Sequence, residues 1–335
     1  MKEILQLILS GGHLEREEMY DIMVGITEQR YSDIHIAALL SAIQLRGVDV
    51  AELLGLRDGL LATGLPVDFS DYNTIDIVGT GGDGKNTFNV STCAAFVVAG
   101  AGYKVAKHGN FAATSVSGAS NVIQAHGVQF TNNVDHLRRS LEESGVAYLH
   151  APLFALGMKH VAPIRKALQV PTAFNLLGPL VNPSRPKNQL LGTATLAQLR
   201  LYKSVFEQLG INYGIVTSIG GFDEISLTSD FKISTHRFER ILRPMDLGME
   251  LLLPNAIWGG NTIEEACRIF DSVLEGTSTE AQRNVVLANA AAAISILEPE
   301  KSLEDCLLIA TESLESRRAY HALRTFVELN TNAPA

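Results

Sequence analysis

Near residue 66 the sequence changes its period, and that change constrains the fold more than any other feature. Upstream, Met19, Ile22, Met23 and Ile26 form one apolar stripe, and Ile36, Leu39, Leu40 and Ile43 repeat the spacing of an amphipathic helix. Ser32 and Asp49 are suited to helix N-caps, Gly47 and Gly64 to stops, so four short helices are expected before residue 70. Downstream, Asn73–Gly79 is a β-branched run ending in glycine, which reads as a buried strand. Strand-like and helix-like runs then alternate to about residue 160, the pattern of βαβ units on a mostly parallel sheet. Lys104–Lys107, Ala147–His150, Tyr213–Thr217 and Glu224–Leu227 are further strand candidates, and Ala288–Ile296 reads as a buried, closely packed helix. The expected class is α/β: a small all-helical domain plus a larger domain whose central sheet is flanked by helices.

The 335 residues are 46% apolar, enough for a substantial core, so an intrinsically disordered chain is excluded. A net charge of −9 disfavours a nucleic-acid partner, which would call for a basic face. Cys93, Cys267 and Cys306 are odd in number and far apart, which fits a reducing cytoplasm and suggests neither a disulfide framework nor a thiolate metal site. The N-terminal apolar run is short and followed at once by acidic residues, so it reads as a helix. No run of about 18 apolar residues is present to span a membrane.

Four motifs carry chemistry. Gly79-Thr-Gly-Gly-Asp83-Gly84 leaves the first strand and runs through Thr87 and Asn89 into a helix near Ser91 and Thr92. Its glycines let backbone approach a ligand, and its amides and hydroxyls suit an anion at a helix N-terminus. It matches neither the P-loop nor the dinucleotide fingerprint. Asp83 would repel a bare phosphate unless it accepted from ligand hydroxyls or faced a metal, so a sugar phosphate is the more natural guest. The second motif, Lys107–Ser120, sets a strand-end lysine before a hydroxyl-rich loop, a combination suited to diphosphate oxygens. In the third, adjacent Asp223 and Glu224 would repel unless a divalent cation sat between them, and Mg²⁺ favours such oxygen ligands. In the fourth, Arg165 on a short helix offers a planar fork to a carboxylate, ahead of Phe174–Pro183. The Pro163–Pro186 stretch looks like a crossing between domains.

Together, the ordered motifs GTGGD, NxST, KHGN, VAP-x-RK, NLLGPLxNP and the DE pair resemble the anthranilate phosphoribosyltransferases, of the nucleoside-phosphorylase-like phosphoribosyltransferase family. The resemblance runs from the N-terminal helices to about Asn289. It implies a helical, dimer-forming domain of residues 1–70 with 163–186, a large domain of 71–162 with 187–335, and an active site in the cleft between them. The implied reaction moves the 5-phosphoribosyl group of phosphoribosyl pyrophosphate (PRPP) to the amino group of anthranilate, in tryptophan biosynthesis. Carried over by matching positions, PRPP would meet Gly79, Gly82, Asp83, Thr87, Asn89, Val90, Ser91, Thr92, Lys107, His108, Gly109, Asn110, Thr114, Ser115 and Ala119. Anthranilate would meet Gly79, His108, Asn110, Arg165 and Pro179. Mg²⁺ would lie on Ser91, Asp223 and Glu224. Lys107, His108, Asn110 and Arg165 would form the catalytic set.

This sequence departs from the family pattern at Phe111, Val116, Ala119 and Ala155, where arginine or tyrosine, a basic residue, serine and histidine are usual. The first two remove positive charge from the loop over the diphosphate, and Ala155 removes a histidine from the aromatic-acid pocket. A pyrimidine nucleoside phosphorylase would share the fold but would not need the DE pair. A non-catalytic, nucleic-acid-binding paralogue would be expected to be basic and to have lost the metal residues.

Overall fold

The N-terminal periodicity becomes helix for the reasons visible in the sequence. A computed structural model describes residues 1–112 and 115–334 and resolves two units, Met1–Val67 with Ala151–Arg185 and Asp68–His150 with Pro186–Ala335. The return segment of the first unit thus begins at Ala151, earlier than residue 163. That unit opens with α1 (Lys2–Leu9), α2 (Arg16–Thr27), α3 (Asp33–Arg46) and α4 (Val50–Ala62). Ser32 accepts from the His35 amide and Asp49 from the Glu52 amide, so both serve as caps, and α3 stops at Gly47 with φ of 93°. Gly64 acts differently from a C-cap. A Cβ there would press on the Phe154 carbonyl, so its glycine permits a close backbone approach. The stripe Met19, Ile22, Met23 and Ile26 is fully buried, and glycines 55 and 59 of α4 let that helix lie directly on α2.

The second unit begins with β1 (Thr74–Gly79), α5 (Val90–Gly100), β2 (Lys104–Gly109), α6 (Ala119–Ala125), α7 (Val134–Ser144) and β3 (Val146–His150). The chain then returns to the first unit through α8 (Ala151–Phe154), α9 (Met158–Leu168) and two 3-10 turns, Ala173–Leu176 and Gly178–Leu180. It completes the second unit with β4 (Asn188–Gly192), α10 (Leu196–Leu209), β5 (Asn212–Ser218), β6 (Phe231–Thr235) and β7 (Glu239–Leu242). Helices α11 (Ile263–Glu275), α12 (Glu280–Leu297), α13 (Leu303–Glu315) and α14 (Arg318–Asn330) follow.

The strands form one sheet in the order β3-β2-β1-β4-β5-β6-β7, parallel up to β5 and antiparallel beyond it. Its core joins Ile75 and Ile77 of β1 to the apolar α5 and to the alanines of α12, whose small side chains let the helix pack closely. The order reverses at β1, which sends its successors to one side and receives β4 on the other. In open α/β sheets the crevice at the carboxyl ends of such strands is where ligands bind.

Glu224–Leu227 is not a strand. Leu227 takes φ of 58°, which breaks an extended run, and Ser226 folds its hydroxyl onto Ser218 and Thr228, so the segment is a loop between β5 and β6. Among the described residues no helix is long and apolar enough to cross a membrane.

Candidate active site

Gly79 and Gly192 end β1 and β4 and face each other in register, at the point where the strand order reverses. The Asp223 residue lies against both. A Cβ on Gly79 would strike its carboxylate, and one on Gly192 would overlap its carbonyl. The loop after β1 turns through Gly81, Gly82 and Gly84, all with φ near 70°, a left-handed conformation that side chains other than glycine resist. The turn aims the Gly81 amide at Asp223 Oδ2, which accepts at 2.6 Å. Asp83 Oδ1 accepts from the Lys85 amide at 2.9 Å and holds the turn from within.

Asp83, Asp223 and Glu224 thereby gather, with one oxygen from each within 4.8 Å of the others. All three residues keep some exposed surface, but Glu224 Oε1 is buried and has no hydrogen-bond partner among the described residues. Burial, followed by the charge of Asp83, raises Asp223 to about 7. Burial and then the charges of Asp223 and Asp83 push Glu224 well up, a rise that the nearby Thr87 hydroxyl partly counters. Three mutually repelling carboxyls with an orphaned oxygen are a donor set that a hard divalent cation would complete.

Around this cluster other buried oxygens are without partners among the described residues: Thr80 Oγ1, Asn89 Oδ1 and Thr92 Oγ1. Such groups are costly to bury unless something satisfies them. Asn89 stands at the N-cap of α5 without capping it and donates to Ser117 O at 3.2 Å. Val90 and Ser91 open the helix behind it.

Lys107 lies on β2 and is buried, with Nζ donating to Ile77 O at 2.5 Å and to Ser91 Oγ at 3.4 Å. Burial lowers its pKa to about 8, with Asp76 resisting the shift. His108 is also buried, and its amide donates to Asp76 Oδ1 at 3.2 Å. Gly109 ends β2 against the Tyr148 hydroxyl, and exposed Asn110 follows it, its Oδ1 accepting from the Phe111 amide at 2.8 Å. Ser115 and Ala119 are half-buried, Ala119 opening α6, and Thr114 lies outside the described residues.

In the helical unit, Arg165 sits in the last turn of α9, half-buried over the Phe174 ring, with Nη2 donating to Asn175 Oδ1 at 3.1 Å. Burial lowers its pKa, and no carboxylate among the described residues pairs with it. Pro179 is buried in the second 3-10 turn of the same unit. Ala155 lines a small cavity with Leu60, Gly64, Phe154, Val181 and Arg185.

Asp83, expected to meet ligand hydroxyls or a metal, has its carboxyl in the acidic cluster, and Ser91, expected with the metal, has its hydroxyl beside Lys107. Asn86 went unnoticed, although it ties the loop down by donating to Gly260 O at 2.7 Å while its Oδ1 accepts from the Val116 amide. Its partners are so remote in sequence that only a glycine pair at 259–260 hints at a close approach.

Residues 2–64 match the helical bundle domain of the glycosyl transferase family, and residues 71–320 match its a/b domain. The chain is 57% identical to the anthranilate phosphoribosyltransferase of Phocaeicola vulgatus over 99% of this chain and 100% of that protein. It superposes on the crystal structure of anthranilate phosphoribosyltransferase from Thermus thermophilus with a TM-score of 0.92 and 32% identity, covering 98% of this chain and 99% of that one. The Saccharomyces cerevisiae anthranilate phosphoribosyltransferase, solved in complex with PRPP and Mg, aligns with a TM-score of 0.92 and 28% identity over 99% and 98% of the two chains. With both domains matched and the curated relative aligned end to end, the chain belongs to the anthranilate phosphoribosyltransferases of the glycosyl transferase family.

Proposed function

We propose that the chain transfers the 5-phosphoribosyl group of PRPP to the amino nitrogen of anthranilate, yielding N-(5-phosphoribosyl)anthranilate and pyrophosphate, as a pentosyltransferase of L-tryptophan biosynthesis. The observation that carries this reading is the gathering of Asp83, Asp223 and Glu224 at the β1/β4 reversal, beside a glycine turn ringed with unpartnered oxygens. A bound Mg²⁺ would neutralise the charge that builds on a departing diphosphate. Asp223 and Glu224 would hold it, with Ser91 the third ligand by analogy with the family.

The residues of the chain do the rest. Displacement at an anomeric carbon passes through an oxocarbenium-like state, so the protein must chiefly stabilise the leaving group and align the nucleophile. Lys107 and the amides from Gly79 to Gly82 supply donors for the diphosphate, as do the hydroxyls of Thr87, Ser91 and Thr92. The α5 N-terminus at Asn89 and Val90 adds its positive end. His108, Gly109, Asn110, Thr114, Ser115 and Ala119 complete the donor's surroundings. Arg165 is the proposed anchor of the anthranilate carboxylate, and Asn110, His108, Gly79 and Pro179 are the other residues proposed to meet anthranilate. An aniline nitrogen is already unprotonated at neutral pH, so generating the nucleophile requires no strong base. The same reading makes the enzyme a cytoplasmic homodimer with no nucleic-acid or membrane partner.

Anthranilate fluoresces, which makes the test direct. Enzyme, anthranilate, PRPP and Mg²⁺ together should give a decay of that signal, with no decay when PRPP is left out. A steady signal at every enzyme concentration would remove the assignment.

A further inference from the structure

His150 and Ser120 belong to none of the groups assigned above to either substrate, yet they lie beneath the turn that carries Asn110. His150 ends β3 and pairs in register with Gly109 at the end of β2. Ser120 Oγ lies 2.9 Å from His150 Nδ1 and 2.8 Å from the Tyr148 hydroxyl, and all three side chains are buried. The arrangement closes without an unsatisfied hydroxyl. With Nδ1 of a neutral His150 unprotonated, the Ser120 O–H would donate to it and leave Ser120 Oγ to accept from the Tyr148 O–H. Burial lowers His150 to about 4, which keeps the imidazole neutral near pH 7.

Aromatic rings fix the imidazole from two further sides. Phe130 stacks on it at 4.1 Å between centroids, and Phe111 meets it edge-on at 4.9 Å. Phe111 thus occupies a position where arginine or tyrosine is common in the resembled family, and its ring covers His150. The network reaches the substrate loop through backbone. The Ser120 amide donates to Asn110 O at 3.1 Å, and Asn121 Oδ1 accepts from the amides of both Ala112 and Gly118 at 3.0 Å. Gly109 and Gly118 have no Cβ to hold these strands apart, since one at Gly109 would strike Tyr148 and one at Gly118 would strike the Ala112 amide.

We propose that His150, acting through Ser120, is a positioning residue that sets the Gly109–Ala112 and Gly118–Asn121 backbone against which the phosphoribosyl donor rests. This inference depends on the donor assignment made under the proposed function. Ala119 brings no hydroxyl of its own to the ligand, so the donor there depends on backbone geometry, and that geometry is anchored one residue later by the Ser120 hydroxyl.

The test compares steady-state constants and melting temperatures for the parent, Ser120→Ala, His150→Phe and the double variant. Each single substitution should raise the PRPP KM about tenfold, the factor of one buried hydrogen bond, and the anthranilate KM by a clearly smaller factor, because Asn110 rides on this backbone while Arg165 and Pro179 do not. The double variant should be no worse than the worse single one, because the two groups act through one bond. A general loss of packing would move both KM values together. An unchanged PRPP KM, parallel changes in both KM values, or multiplicative effects in the double variant would overturn the proposal. Ser120→Ala removes a single oxygen and decides the matter if His150→Phe does not fold; loss of fold in both would overturn it, by making the network a stability element. A parent that consumes no anthranilate would instead fail the functional reading, whereas an active parent with unaffected variants would fail only this inference.

Discussion

Asp223 combines, in one residue, contacts with the ends of two strands, a hydrogen bond from the Gly81 amide and membership of the acidic cluster. Asp223→Asn keeps the shape and removes the charge, so it should lower kcat/KM by about a hundredfold or more, several kcal/mol of transition-state stabilisation, with little change in melting temperature. Arg165 has a different signature. Arg165→Ala should raise the anthranilate KM far more than the PRPP KM, because a half-buried guanidinium with no carboxylate partner among the described residues would suit the acidic ligand proposed for it. Equal effects on both substrates would show that it does not anchor the carboxylate. At this scale the sequence made the DE pair legible because adjacent carboxylates demand an explanation wherever they fall. It did not show that Asp83 joins them. Their meeting depends on a left-handed glycine turn folding back on a loop about 140 residues away, and no local pattern encodes that.

The helical elements were readable because each carries its own instructions, namely a 3.6-residue stripe and a side chain that caps the first turn. Glu52 shows how much rests on such a cap. It is fully buried in α4, accepts from the Leu14 and Asp49 amides, and is paired with Arg46. Glu52→Gln should cost about 3 kcal/mol or more in denaturant unfolding, since it leaves the nearly buried guanidinium without a counter-charge. The strands were less legible. Asn188–Gly192 opens with two polar residues that are nonetheless buried between β1 and β5, so it lacks the apolar texture of Asn73–Gly79. Glu224–Leu227 has strand-like residues, but Leu227 turns left-handed, a tertiary choice that outweighs β-propensity. Gly192→Ala belongs to this scale as well. Its methyl would overlap the Asp223 carbonyl, and the displacement should cost ~1–3 kcal/mol and weaken Mg²⁺ binding together.

For the molecule as a whole, the carboxyl cluster couples fold, pH and metal. Asp223 ionises near 7 in the fold against 3.8 in its ordinary state, so ionisation is easier in the unfolded chain. Its contribution to stability therefore falls as pH rises from about 4 through 7. A cation needs the ionised form and offsets that repulsion, so Mg²⁺ should raise the melting temperature more at pH 8 than at pH 6. An equal or reversed increment would mean that the metal does not sit on these carboxyls. The overall net charge of −9 disfavours an extended polyanion, yet it poses no obstacle to PRPP, whose charge would meet Lys107, backbone amides and Mg²⁺ at one strand reversal. The most direct test of phosphoribosyl transfer is the stoichiometry of the products when PRPP, anthranilate and Mg²⁺ are incubated with the enzyme. One pyrophosphate should be released for each N-(5-phosphoribosyl)anthranilate formed, and none without anthranilate; pyrophosphate release independent of anthranilate, or no ribosylated adduct, would contradict the account.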